Sequence, residues 1–288
     1  MSNTHVLATL RAGSFVLILA LTAGCAQPPV AGTTGVQRMY VFDCGEAQIP
    51  DVSPWSPGVN VGKPAVFSNN CYLIAHGNDL MLWDSGYSDL IAVVPGGMVG
   101  PRSTAVVQKT LAAQMAELNI KPEQITRIAF SHTHMDHVGN ANMFASATLY
   151  IQQAEYDAAF GTDPAKFGFV ATNYDKLRAS PSVKLSGDYD IFGDGSVLIL
   201  STPGHTPGHQ SLLVRLPNTG VVVLTGDAAH FKENFDNRRV PTFNFNKEQT
   251  VQSMEKLARV AAAEHAQLWF NHDRAQSSGI PHSPQFLD

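Results

Sequence analysis

Five histidines and two aspartates are spaced along this chain so that they could hold two metal ions side by side. Four of the seven stand together in Ser131-His132-Thr133-His134-Met135-Asp136-His137. The rest follow one at a time, in Gly204-His205, Gly226-Asp227 and Asn271-His272-Asp273. Imidazole and carboxylate without thiolate suit zinc and similar divalent ions. His132 and His134 are two residues apart, so in an extended segment both rings point the same way and can face one ion. Asp136 and His137 come at a turn into a helix and can face a second ion. Asp227 closes the apolar run Val221 to Thr225, where a carboxylate can bridge the two. A single zinc site needs only three or four ligands, so seven imply two ions per chain. Two such ions about 3.5–4 Å apart can hold a hydroxide and polarise a carbonyl or phosphoryl oxygen. The chemistry expected is hydrolysis.

Any one of these residues alone reads more readily as a packed histidine or a turn aspartate. The set gains meaning from the elements that must position it. Ile128 to Phe130 is an apolar strand running into the histidine cluster. The rigid Thr202-Pro203-Gly204-His205-Thr206-Pro207-Gly208-His209 loop lies between the strands Val197 to Leu200 and Ser211 to Leu216. Leu268 to Phe270 is a final strand leading to His272. Met39 to Phe42, Cys71 to Ile74, Leu80 to Trp83 and Thr148 to Gln152 are further strands. The spacing predicts helices over Thr104 to Leu118, with Ser103 as N-cap, after the strand ending at Gln152 through Ala159, and over Val251 to Ala263. Pro95 to Pro101 is not expected to be regular structure, and Asp51 to Lys63 reads as an irregular loop around Trp55. Every ligand cluster follows a strand, which is where a rigid scaffold usually places functional loops.

These motifs resemble the metallo-β-lactamase superfamily, which implies an α/β fold, an αββα sandwich with the site along one edge. Three stretches resemble the N-acyl homoserine lactonases, the quorum-quenching enzymes, more closely. They are Ser131 to Asn140, Thr202 to Ser211, and Gly226 to Phe235 with its Lys232-Glu233-Asn234-Phe235. The resemblance covers about residues 39 to 285. It implies that His132, His134 and His205 hold one Zn2+, that Asp136, His137 and His272 hold the other, and that Asp227 bridges. The implied reaction is attack of the bridging hydroxide on a small-molecule lactone, with Asp136 passing a proton to the departing alkoxide. One departure stands out. The lactonases carry a tyrosine three residues after the bridging aspartate, hydrogen-bonded to the lactone carbonyl. Here that position is His230, which could donate the same bond or be an exposed histidine on the rim. Asp84 is expected to orient a ligand histidine and His209 to fix its loop. Met98, Val99, Phe231 and Phe235 are available for an acyl slot.

Other readings stay open. An organophosphate triesterase would use the same two ions. A glyoxalase II-type thioesterase shares the bridging aspartate but normally adds a C-terminal helical domain, and only a short tail follows His272. A β-lactamase generally lacks that aspartate. A non-catalytic metal-holding protein would keep the ligands and turn over nothing.

Length and composition fit a globular hydrolase. The chain has 288 residues, 44% hydrophobic and 15% charged, with net charge −5 and no lysine or arginine block. That argues against a nucleic-acid or anionic-membrane surface. Residues 1–25 read as an export signal: Arg11, a short apolar run from Phe15 to Leu21, then Thr22-Ala23-Gly24-Cys25. Gly24-Cys25 resembles the end of a lipobox. Either Cys25 carries a lipid anchor, the only membrane contact expected, or ordinary cleavage nearby releases a soluble product. The address is periplasmic or outer-membrane-anchored. Residues 26–38 form a polar linker, and 39–288 the metallo-hydrolase domain. Cys44 and Cys71 could pair in an oxidising compartment or remain buried thiols.

Overall fold

The computed structural model describes residues 1–2 and 35–288. The rest of the expected signal, Cys25 included, and the linker up to residue 34 lie outside the described residues. The chain runs β1 (Val36–Ile49), β2 (Ala65–His76), β3 (Asp79–Trp83), β4 (Met98–Val99), β5 (Thr104–Val106), α1 (Leu111–Glu117), β6 (Arg127–Ala129), α2 (Met135–Val138), β7 (Thr148–Gln152) and α3 (Gln153–Phe160). It continues through β8 (Ser182–Leu185), β9 (Tyr189–Asp190), β10 (Val197–Ser201), β11 (Gln210–Leu216), β12 (Gly220–Leu224), α4 (Lys232–Asp236), α5 (Lys247–Glu264), β13 (Gln267–Trp269) and α6 (Arg274–Ser277).

Two sheets result, ordered β4-β5-β1-β2-β3-β6-β7-β8 and β13-β12-β11-β10-β9. Their central strands are buried on both faces, the mark of sheets covered on both sides, and the period of two sorts the side chains. On β2 and β3, Tyr72, Ile74, Met81 and Trp83 meet Leu212, Val214, Val222 and Leu224 of the second sheet. Their neighbours Cys71, Leu73 and Leu82 turn the other way, onto α1 and α3 through Leu111, Met115 and Phe160. Leu213 and Val223 likewise pack outward on Met254 and Leu257 of α5. Each such fully buried side chain contributes roughly 1.5–3 kcal/mol. The layers are helix, sheet, sheet, helix, as the motifs implied.

Three local expectations are corrected. The helix expected over Thr104 to Leu118 is split. Thr104–Val106 pairs with both β1 and β4, because its β-branched Thr104 and Val106 suit a strand. The helix starts at Leu111, where Thr110 Oγ1 accepts from the Ala113 N–H at 3.1 Å. Within Pro95 to Pro101, Met98–Val99 forms the two-residue strand β4. Strand β1 begins at Val36, inside the stretch read as linker. Cys44 and Cys71 form a disulfide across β1 and β2, with Cα atoms 5.8 Å apart.

Candidate metal centre

All seven expected ligands meet at one edge of the sandwich, each just beyond a strand. His132 and His134 follow β6, and His134 is the N-cap of α2, whose first turn carries Asp136 and His137. His205 lies between β10 and β11, Asp227 follows β12, and His272 follows β13. Strands β12 and β13 are parallel neighbours, so Asp227 and His272 leave the sheet at the same end. Gly226 makes the turn before Asp227 at φ +53°. A Cβ there would come within 2.7 Å of His209 Nε2 and of the Ser131 side chain, so the turn requires glycine.

The ligand atoms fall into two groups. His134 Nδ1 lies 2.8 Å from His132 Nε2 and 3.0 Å from His205 Nε2. Beside this trio, His137 Nε2 and His272 Nε2 lie 3.7 and 3.6 Å from Asp136 Oδ2. Asp227 faces both groups, one oxygen to each. Its Oδ2 is 3.4 Å from His205 Nε2 and 3.9 Å from His132 Nε2. Its Oδ1 is 3.1 Å from His272 Nε2 and 3.5 Å from His137 Nε2. His137 Nε2 and Asp227 Oδ1 are buried without a hydrogen-bond partner, which buried polar atoms seldom are. Divalent ions would satisfy them, and the donor set suits such ions. The residues present fit a two-metal centre.

The remaining nitrogen of every ring is held by an oxygen. His137 Nδ1 meets Asp84 Oδ2 at 2.9 Å, and His205 Nδ1 meets Asn244 Oδ1 at 3.0 Å. His272 Nδ1 donates to the Ser68 carbonyl at 2.9 Å, and His134 Nε2 to the Phe167 carbonyl at 3.0 Å. His132 Nδ1 lies 3.1 Å from Ser131 Oγ. Such bonds fix ring orientation and tautomer. Asp84 is therefore where the sequence placed it, and it also accepts from the Ser131 N–H at 2.6 Å. It does so at φ +57°, a left-handed conformation that aspartate tolerates better than most residues. His209 is not a ligand. Its Nδ1–H donates to the Thr202 carbonyl at 3.0 Å, and its Nε2 accepts from the Asp227 N–H at 2.9 Å. Burial pushes its pKa down to about 3, so the ring stays neutral and anchors the bridging residue.

His230 is not on the rim. It is 2% exposed, and its Nε2 lies 3.0 Å from Asp227 Oδ2. A cavity of about 560 Å³ opens onto the centre and is lined by His134, Asp136, His205, Asp227, His230 and His272. Its apolar wall is Trp55, Phe67, Tyr87, Phe243 and Phe245, with Arg102 and Lys166 adding two cations. Met98, Val99, Phe231 and Phe235, available in sequence for an acyl slot but equally suited to the core, do not line this cavity. Phe235 is packed under the second sheet, and Val99 is 80% exposed. The Lys232 to Phe235 motif acts indirectly. Asn234 accepts from Ser56 Oγ–H at 2.7 Å and donates to the Trp55 carbonyl at 2.8 Å, which pins the loop carrying Trp55 to the cavity.

The metallo-beta-lactamase superfamily profile matches residues 64–264. The chain belongs to this superfamily. Within it, the chain is 33% identical to an N-acyl homoserine lactonase, AttM, of Rhizobium radiobacter, over 75% of this chain and 85% of that protein. It is 30% identical to an N-acyl homoserine lactonase of a Bacillus species, over 88% of this chain and 99% of that protein. A solved N-acyl homoserine lactone hydrolase, holding the product N-hexanoyl-L-homoserine at its catalytic metal centre, superposes with a TM-score of 0.75 at 26% identity. That match covers 88% of this chain and 100% of the solved chain.

Proposed function

We propose that this protein is a dinuclear, zinc-dependent hydrolase that opens the lactone ring of N-acyl homoserine lactones. The observation that carries the reading is Asp227, with one oxygen on each ligand group, at the floor of an aromatic-walled cavity. Relatives named N-acyl homoserine lactonase support the substrate class. On this reading His132, His134 and His205 hold one ion, Asp136, His137 and His272 the other, and Asp227 bridges them. When bound, the ions supply Lewis acidity and a water-derived nucleophile at neutral pH.

The chain's own groups do the rest. The aromatic wall takes the acyl chain and keeps bulk water from it. On this reading the His230 N–H, which faces Asp227 Oδ2 at 3.0 Å, would be released when Asp227 is engaged by the ions and would then donate to the lactone carbonyl. Asp136 lines the same cavity with its side chain 20% exposed, and on this reading it passes a proton to the departing alkoxide oxygen. The products balance as one ring-opened N-acyl homoserine per lactone and water.

The test is a panel on metal-loaded protein lacking residues 1–25: homoserine lactones, a cephalosporin, S-lactoylglutathione and an organophosphate triester. Lactones are expected to be opened fastest and cephalosporins poorly or not at all. Fast cleavage of the triester with inert lactones would sink the lactonase reading and leave only a two-metal hydrolase.

We further propose that the protein is exported, with Cys25 as a lipid anchor. A fusion of residues 1–30 to a reporter active only outside the cytoplasm should be active. Cys25→Ala should move the full chain from membrane to soluble fractions. An unchanged fraction favours plain cleavage.

A further inference from the structure

Glu155, on the first turn of α3, had no role in the sequence reading and is not a metal ligand. It is 1% exposed, and both its oxygens are fully engaged. Oε1 accepts from the Thr133 N–H at 2.8 Å and from Thr133 Oγ1 at 2.9 Å. Oε2 accepts from Thr206 Oγ1 at 2.7 Å and from the Gly208 N–H at 2.9 Å. Thr133 is the residue between His132 and His134, and Thr206 follows His205. The carboxylate thus grips both loops that carry the imidazole trio. Gly208 shows how tight the grip is. A Cβ there would come within 2.3 Å of the Glu155 backbone nitrogen, so only glycine lets the loop reach the helix.

The two loops are also tied elsewhere. The Gln210 N–H donates to the Ser131 carbonyl at 2.8 Å, and Gln210 Nε2 donates to the Phe130 carbonyl at 2.9 Å. These bonds hold the loops where they join the sheets. Glu155 holds them at the tips, beside the ligands. A buried carboxylate is costly to desolvate and persists where hydrogen bonds compensate it. The second group is tied by other residues: His137 by Asp84, His272 by the Ser68 carbonyl, and the two loops to each other by Asn69, which donates to the Asp136 carbonyl and accepts from the Asn271 side chain.

We propose that Glu155 is a positioning residue that sets the spacing of His132, His134 and His205, and so sets the affinity of one metal position without touching the other. This rests on the two-metal reading above. Glu155→Gln keeps the shape but turns an NH2 toward one pair of donors, releasing one of the two loops. The experiment measures the two stepwise zinc affinities by chelator competition in wild type, Glu155→Gln and His134→Ala, together with the Tm of each metal-free protein.

Glu155→Gln is expected to weaken one step about 10–100-fold, the range for outer groups around a metal. The other step should stay within about twofold, and the weakened step should be the one that His134→Ala abolishes. Equal weakening of both steps, or a lower metal-free Tm with both affinities unchanged, overturns the proposal and leaves Glu155 a plain structural group. Uptake of only one ion by wild type refutes the two-metal reading instead, and is visible before any variant is compared. Should Glu155→Gln not fold, Thr206→Val deletes a single bond of the clamp and should show the same selectivity at smaller size. Thr206→Ser, which keeps the hydroxyl, should bind as wild type does.

Discussion

The two halves of the centre are built from different material. One is three imidazoles, and burial drives all three toward the neutral form. His132 and His205 are held well below the usual histidine range, and His134 below it. The other half mixes two imidazoles with Asp136. There burial alone would lower His137, but Asp84, Asp136 and Asp227 outweigh it and hold the ring up at about 10. His272 is raised in the same way, with Asp227 outweighing burial. Neutral imidazole is the ligand form. One half is therefore ready for a cation, while the other must first give up a proton. Asp227 belongs to both.

The largest expected effect comes from removing what the halves share. Asp227→Ala takes one oxygen from each group and leaves His272 and His230 without the carboxylate that faces them. Lactone hydrolysis should fall by at least about 1,000-fold and both ions should bind weakly. Asp84 meets one ligand ring directly, that of His137, and reaches the first half only through Ser131. Asp84→Asn suits the same left-handed backbone but removes the charge on His137, so it should cost about 10–100-fold. Equal losses in the two variants, with metal retained in both, would mean that Asp227 is not the bridge.

The same contrast explains what the sequence could and could not convey. The floor of the site was legible because its ligands lie directly after strands, and strand ends follow from apolar runs such as Val221 to Thr225. The walls were not. Trp55, Phe67, Phe243 and Phe245 come from segments far apart in sequence, two of them irregular. No local period marks a residue that faces a cavity rather than the core. That is why Phe235, an apolar residue beside the site in sequence, was offered to the acyl chain when it packs under α5. Glu155 was missed because a glutamate in the first turn of a helix is ordinary there. Its partners, Thr133 and Thr206, become visible only when two loops more than 70 residues apart come together. The one available signal was that both flank ligand histidines.

His230 lies on the Asp227 oxygen that faces the first half, so its variant separates two jobs. As a donor to the substrate carbonyl, His230→Ala should lower kcat/KM about 10–1,000-fold with both ions retained, the range for a lost carbonyl or oxyanion donor. His230→Tyr should recover part of that loss, since a phenol can donate to the same carbonyl. If metal content falls in step with activity, the imidazole is a support for Asp227 and not a donor.

The smallest effect is the most direct measure of how the halves differ. In the metal-free protein His137 keeps its proton up to a pH of about 10, so an ion entering that half between pH 7 and 9 must expel it. The apparent affinity of that step should then rise at least about tenfold per pH unit, since each displaced proton shifts the equilibrium by about 1.4 kcal/mol per unit and His272, also raised, adds to the slope. The imidazoles of the first half have folded-state pKa values below 6.5. They carry no proton to expel in this window, so that step should be flat. Chelator competition at pH 7, 8 and 9 gives both slopes, and His134→Ala identifies which step belongs to which half. Two equal slopes would erase the distinction, because both halves would then bind with the same proton balance whatever their different carboxylate surroundings.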